Sequence, residues 1–109
     1  MPQSNNPFAL PQILPVQYVN VGQTFNVPLG SNPSTGYQWT ITNQPQFISL
    51  ADEKYFPDPH PPGMVGVGGT QVFTFVANYA GDGVLSFVYS TPWGESGSNY
   101  AVRIIATST

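Results

Sequence analysis

A chain of 109 residues is the size of one domain and can bury a core without metal or disulfide support. Its only charged residues are Asp52, Glu53, Lys54, Asp58, Asp82, Glu95 and Arg103, a net charge of −3. Two cations cannot build a basic patch for nucleic acid or an anionic membrane, and the lack of cysteine excludes disulfides, thiolate metal sites and a thiol nucleophile.

Pro2, Pro7, Pro11 and Pro15 punctuate a polar stretch, which predicts an extended arm over residues 1–15 with Ile13 and Leu14 docking on the body. The domain itself is expected over residues 16–109. No basic-then-apolar leader pattern is visible in residues 1–12, and no apolar run approaches the roughly 20 residues of a membrane span. A complete chain would accordingly be cytoplasmic, and one that has lost a leader would be endolysosomal, phagosomal or secreted. Val16 and Tyr18 open a first strand, followed by a turn at Asn20-Val21-Gly22-Gln23. Phe25, Val27 and Leu29 alternate with polar residues and Pro28, the mark of a strand at an edge or with a bulge.

The stretch from Ser31 to Trp39 carries the densest local information. Asn32 before Pro33 initiates a turn, Ser34 and Thr35 can hydrogen-bond nearby backbone, and Gly36 permits a positive φ. Tyr37, Trp39 and Ile41 then alternate with polar residues as on a half-buried strand. Pro33 also stops Asn32 from being a glycosylation acceptor. A turn is expected over Thr42 to Pro45. Residues 46–56 fit a helical turn or a short strand about equally, with Asp52-Glu53-Lys54 a solvated turn. Pro57 to Gly69 is a long loop rich in proline and glycine. Phe73, Phe75 and Ala77 mark a strand, Ala80 to Gly83 a turn, and Leu85, Phe87 and Tyr89 another strand. A loop over Thr91 to Ser98 leads to a last strand marked by Tyr100, Val102, Ile104 and Ala106. Some seven short strands separated by turns predict an all-β sandwich.

Catalytic chemistry has little to work with. His60, the single histidine, is wedged between prolines, and Gly94-Glu95-Ser96-Gly97 falls one residue short of a nucleophile elbow. Gly66-Val67-Gly68-Gly69 begins like a dinucleotide fingerprint, but Gln71 occupies the place of the third glycine. Five dispersed carboxylates and one histidine form no metal-ligand pattern. Neither enzyme activity, a cofactor nor a metal is expected.

Three loops remain, and together they resemble the chagasin-type inhibitors of papain-like cysteine peptidases. That family carries the motifs N-P-T-T-G-Y/F, G-x-G-G and R-P-W. Here the first is Asn32-Pro33-Ser34-Thr35-Gly36-Tyr37, with serine for the first threonine. The second is complete at Gly66-Val67-Gly68-Gly69, and the third keeps Pro92 and Trp93 but has Thr91 for the basic residue. Lys54-Tyr55-Phe56-Pro57 is similar to the family as well, and the likeness runs from about Val16 to Ala106. The resemblance implies an immunoglobulin-like antiparallel sandwich of seven or eight strands with the three loops at one end. It implies a reversible, tight-binding inhibitor, monomeric when free, that blocks the cleft of cathepsin-type peptidases. The residues implied to bind are Asn32 to Tyr37, Val65 or Val67 with Gly66, Gly68 and Gly69, and Thr91, Pro92 and the aromatic anchor Trp93. An adhesion or carbohydrate-binding sandwich that uses Trp93 and the tyrosines is the alternative, and nucleic-acid or membrane partners are not expected.

Overall fold

A computed structural model describes residues 13–64 and 66–108. Val65 and most of the N-terminal arm therefore lie outside the described residues. Seven strands follow one another: β1 Val16–Asn20, β2 Thr24–Ser31, β3 Gln38–Asn43, β4 Ile48–Pro57, β5 Gly69–Ala77, β6 Gly81–Ser90 and β7 Ser96–Thr107. A short 3-10 turn, Pro33–Thr35, stands between β2 and β3. The strands form a sheet ordered β1-β7-β6-β3 and a second ordered β2-β5-β4. All neighbours run antiparallel except β1 with β7, which are parallel with Val16 opposite Arg103.

The period-two pattern read from the sequence is what the two sheets bury. Phe25, Val27 and Leu29 of β2, side by side with Phe73, Phe75 and Ala77 of β5, face Trp39 of β3, Leu85 and Phe87 of β6 and Val102, Ile104 and Ala106 of β7 across one core. The Phe87 ring lies 5.0 Å from that of Phe73 and 6.2 Å from that of Phe75, so aromatic contacts hold the sheets together. Each of these fully buried side chains contributes roughly 1.5–3 kcal/mol through the water its burial displaces. Pro28 sits in regular register opposite Val72 on the edge strand β2, where its missing N–H costs no ladder bond.

The structure corrects several boundaries. Residues 46–56 are neither helix nor turn beyond Phe47, because β4 begins at Ile48 and carries Asp52, Glu53 and Lys54 within it. A register shift between Leu50 and Asp52 and a place at the sheet edge let those charges stay in water while the backbone pairs with β5. The turn expected at Ala80 to Gly83 lies at residues 78–80, and Gly81 and Gly83 are strand residues. Their glycines serve packing: a Cβ at Gly83 would stand 2.9 Å from Pro45 Cγ, and one at Gly81 would enter the Phe47 ring. The turn expected at Thr42 to Pro45 falls instead at residues 44–47, and β7 starts at Ser96, ahead of the expected boundary. Ile13 is 89% exposed and does not dock, whereas Leu14 is half-buried and Pro15 O accepts a hydrogen bond from Arg103 N.

Register fixes where the loops fall. Ser31 pairs with Gly69 and Gly69 with Pro57, while Gln38 pairs with Ser90 and Ser90 with Ser96. All six strand ends therefore share one end of the sandwich, and the connections L1 (residues 32–37), L2 (58–68) and L3 (91–95) emerge side by side.

Candidate functional site

L1 is a rigid turn because its own side chains close it. Asn32 is extended, at φ −135° and ψ 90°, and its Oδ1 accepts from Ser34 N at 3.3 Å and Ser34 Oγ at 2.6 Å. That is a side-chain cap over a helical turn whose first residue is Pro33, a position at which proline loses nothing. Asn32 O accepts from Thr35 N at 3.1 Å and from Thr35 Oγ1 at 2.7 Å, and Pro33 O accepts from Gly36 N at 3.0 Å. Gly36 ends the turn at φ 87°, and a Cβ there would lie 2.7 Å from Trp93 Cη2. Glycine is thus required twice, by backbone conformation and by the indole of L3 resting on it.

Asn32 also ties L1 to its surroundings. Its Nδ2 donates to Gly66 O of L2 at 2.9 Å, and its backbone N donates to the Tyr89 hydroxyl at 2.8 Å. The Tyr89 ring lies 5.1 Å from Tyr37 and 4.9 Å from Trp39, and Trp39 Nε1 donates to Gly30 O at 2.8 Å. Both strands flanking L1 are therefore pinned to a stack of three aromatic rings. Tyr89 is a residue that the sequence placed only on a strand, since alternation with Leu85 and Phe87 says nothing of where its hydroxyl goes. Tyr37 is half-buried in this stack and supports the face more than it belongs to its tip.

L2 approaches L1 through backbone. A Cβ on Gly68 would stand 3.3 Å from Ser31 O, Gly68 O accepts from Asp58 N at 3.0 Å, and Gly66 adopts φ 74°. Gly69 is buried and leaves no room for a side chain beside Phe56, Pro57 and the Tyr55 hydroxyl. Val67 is half-buried, and Val65 lies outside the described residues.

L3 holds a departure from expectation. Thr91, read as a residue of the binding face, is 6% exposed. Its Oγ1 accepts from Glu95 N at 2.9 Å, its N donates to Glu95 O at 2.8 Å, and its O accepts from Gly94 N at 3.2 Å. The side chain turns inward because a β-hydroxyl is the right length to close this loop. Pro92 and Trp93 stay outside, and Trp93 is 67% exposed despite its contact with Gly36. The structure thus brings L1, the glycines of L2 and Trp93 into one uncharged face, with Thr91 as an internal latch.

Comparison with known proteins agrees with this geometry. Residues 18–105 match the family described as Chagasin family peptidase inhibitor I42. Chagasin of Trypanosoma cruzi is 31% identical over 80 residues, covering 69% of this chain and 71% of chagasin. Amoebiasin-2 of Entamoeba histolytica is 30% identical over 76 residues, 70% of this chain, and the chain spans 62% of the length of that relative. The crystal structure of EhICP2, a cysteine protease inhibitor from Entamoeba histolytica, shares the sandwich at a TM-score of 0.73 and 25% identity, covering 85% of this chain and 86% of that one. The fold also recurs, at 16% identity and a TM-score of 0.62 over 86% of each chain, in PbICP-C, whose structure was solved in complex with falcipain-2. From the motifs, the sandwich and the match over residues 18–105, this chain belongs to the chagasin family of peptidase inhibitors.

Proposed function

We propose that this protein is a reversible, tight-binding inhibitor of papain-like cysteine peptidases that fills the active-site cleft with L1, flanked by L2 and Trp93. The observation that carries the reading is the double tie at Asn32, which makes L1 and L2 a single preformed wedge. Rigidity of this kind reduces the ordering cost of association. A papain-like cleft holds a thiolate–imidazolium pair and takes its substrate as an extended strand. L1 offers the cleft a closed turn in place of a strand. The Asn32 carbonyl already accepts two hydrogen bonds within the loop, which uses both its lone pairs, and the Pro33 carbonyl accepts one, so the turn holds both away from the pose of a scissile carbonyl in an oxyanion hole. The glycines of L2 suit main-chain pairing with the peptidase backbone, and Trp93 offers the large aromatic surface typical of interface hot spots.

None of the residues 32–37, 66–69 and 91–93 is charged, so nothing on the face imitates a substrate of trypsin. The test is titration of active-site-counted papain, trypsin and thermolysin with the protein. Stoichiometric inhibition of papain alone is expected, and equal inhibition of trypsin would overturn the reading.

A further inference from the structure

β3 and β4 are edge strands of opposite sheets, and beside L1 the sandwich opens between them. The opening is a cleft of about 330 Å³ lined by Ser31, Pro33, Gln38, Glu53, Tyr55 and Gln71. Lys54 borders it too, but its ammonium lies 3.5 Å from Asp52.

The polar floor of the cleft is built, not incidental. Gln71 is 6% exposed, and its amide is fully used: Oε1 accepts from Trp39 N, and Nε2 donates to Trp39 O and, at 2.7 Å, to Glu53 Oε2. The glutamine therefore holds the Glu53 carboxylate in place while leaving Oε1 of Glu53 able to accept. Ser31 is 7% exposed, and its Oγ is buried with no hydrogen-bond partner among the described residues. A buried hydroxyl left unmatched is costly and asks for an explanation. Lys54 and Arg103 are engaged elsewhere, with Asp52 and with Asp82, so the Glu53 charge has no counterion among the described residues.

We propose that this cleft receives a guanidinium group, the side chain of an arginine on the surface of the bound peptidase. An acceptor pair of carboxylate and hydroxyl, walled by Tyr55 and Pro33, suits a planar, weakly hydrated cation with several donors better than a compact ammonium. The net charge of −3 favours the same partner. The inference rests on the docking of L1 proposed above, since Pro33 is shared by the cleft and the wedge.

Ethylguanidinium chloride is the probe, titrated into isotopically labelled protein and read at the Gln71 side-chain amide and the Trp39 backbone N–H, with sodium chloride as the ionic control. Saturable shifts at both groups are expected in the wild type and in Asp82→Asn. Glu53→Gln should weaken the probe about tenfold or more, as loss of a charged hydrogen bond does. Ser31→Ala should weaken it as well while leaving the melting temperature unchanged or higher, because the hydroxyl removed has no partner among the described residues. Against papain and a cathepsin, Glu53→Gln should raise the inhibition constant by a similar factor. Absence of saturable shifts, or shifts unaltered in Glu53→Gln, overturns the cleft as a guanidinium site. Probe binding with unchanged inhibition constants overturns the assignment to a peptidase arginine. Failure of the wild type to inhibit any papain-like enzyme sinks the docking model instead, and the titration still judges the cleft.

Discussion

At the scale of single residues, the hydroxyl of Tyr89 shows how much of the face depends on a group that never reaches its surface. Tyr89→Phe keeps the ring between Tyr37 and Trp39 but leaves the half-buried Asn32 N–H without its acceptor. The expected cost is about 1 kcal/mol, read as a severalfold rise in the inhibition constant for papain with unaltered circular dichroism. Trp93 and Thr91 invite the opposite comparison. Trp93 is mostly exposed, so Trp93→Ala should lower affinity by about 2 kcal/mol or more while leaving the melting temperature nearly unchanged. Thr91→Ala removes a latch inside L3 and should act on stability as well as affinity, by about 1 kcal/mol in each. A larger loss of affinity for Thr91→Ala than for Trp93→Ala would show that Trp93 is not the anchor. The sequence marked the place of Trp93 on the loop face and hid the inward turn of Thr91. A motif marks which residue types recur, but Thr91 bonds to the backbone of Glu95, and a backbone partner leaves no trace in residue identity.

At the scale of elements, alternation located every strand whose two faces differ, and it failed at β4. β5 alternates buried and half-buried residues along its whole length, whereas β4 after Ile48 is exposed on both faces. An edge strand with so little burial has no period to detect, and its charges imitate a turn. Glycine misled in the same way at Gly81 and Gly83, where it makes room for Phe47 and Pro45 and not for a bend. L2 is where glycine acts through backbone proximity. Gly68→Val would press a branched side chain against Ser31 O, costing about 1–3 kcal/mol in strain or displaced backbone. Weaker inhibition with an intact β spectrum is the expected result. On the outer face of β6 and β7, Asp82 accepts from Arg103, and that hydrogen bond together with the cation's charge holds the carboxyl below its ordinary value. Asp82 binds a proton more readily unfolded than folded. Its contribution is therefore complete above the ordinary carboxylate pKa and is lost as pH falls through the lowered folded value. The gap in melting temperature between wild type and Asp82→Asn should be small at neutral pH, as for any exposed pair, and should close in acid.

At the scale of the whole molecule, stability and recognition occupy different parts of the same sandwich. Phe87 sits 1% exposed between the sheets, so Phe87→Ala should cost about 3–5 kcal/mol and shift the denaturation midpoint. The loop face hangs from the strand ends by a few ties, Asn32 to Tyr89 and to Gly66, and Trp39 to Gly30. This separation bears on whether a peptidase can consume its own inhibitor. Cleavage within L1 would require the turn to open into an extended strand, which breaks the Asn32 cap, both bonds to Asn32 O and the bond to Pro33 O. It would also require Gly36 to leave its positive φ and lift away from the Trp93 indole. With no cysteine in the chain, no disulfide to the catalytic thiol can trap a nicked form either. Inhibition should accordingly be reversible by dilution, and mass spectrometry after prolonged incubation with active papain should find the chain uncut between Asn32 and Tyr37. Asn32→Ala, which removes the cap and the tie to Gly66 together, should make the same stretch cleavable while leaving the sandwich folded. A stoichiometric nick in the wild type that accompanies inhibition would mean that L1 binds as a substrate and not as a closed wedge.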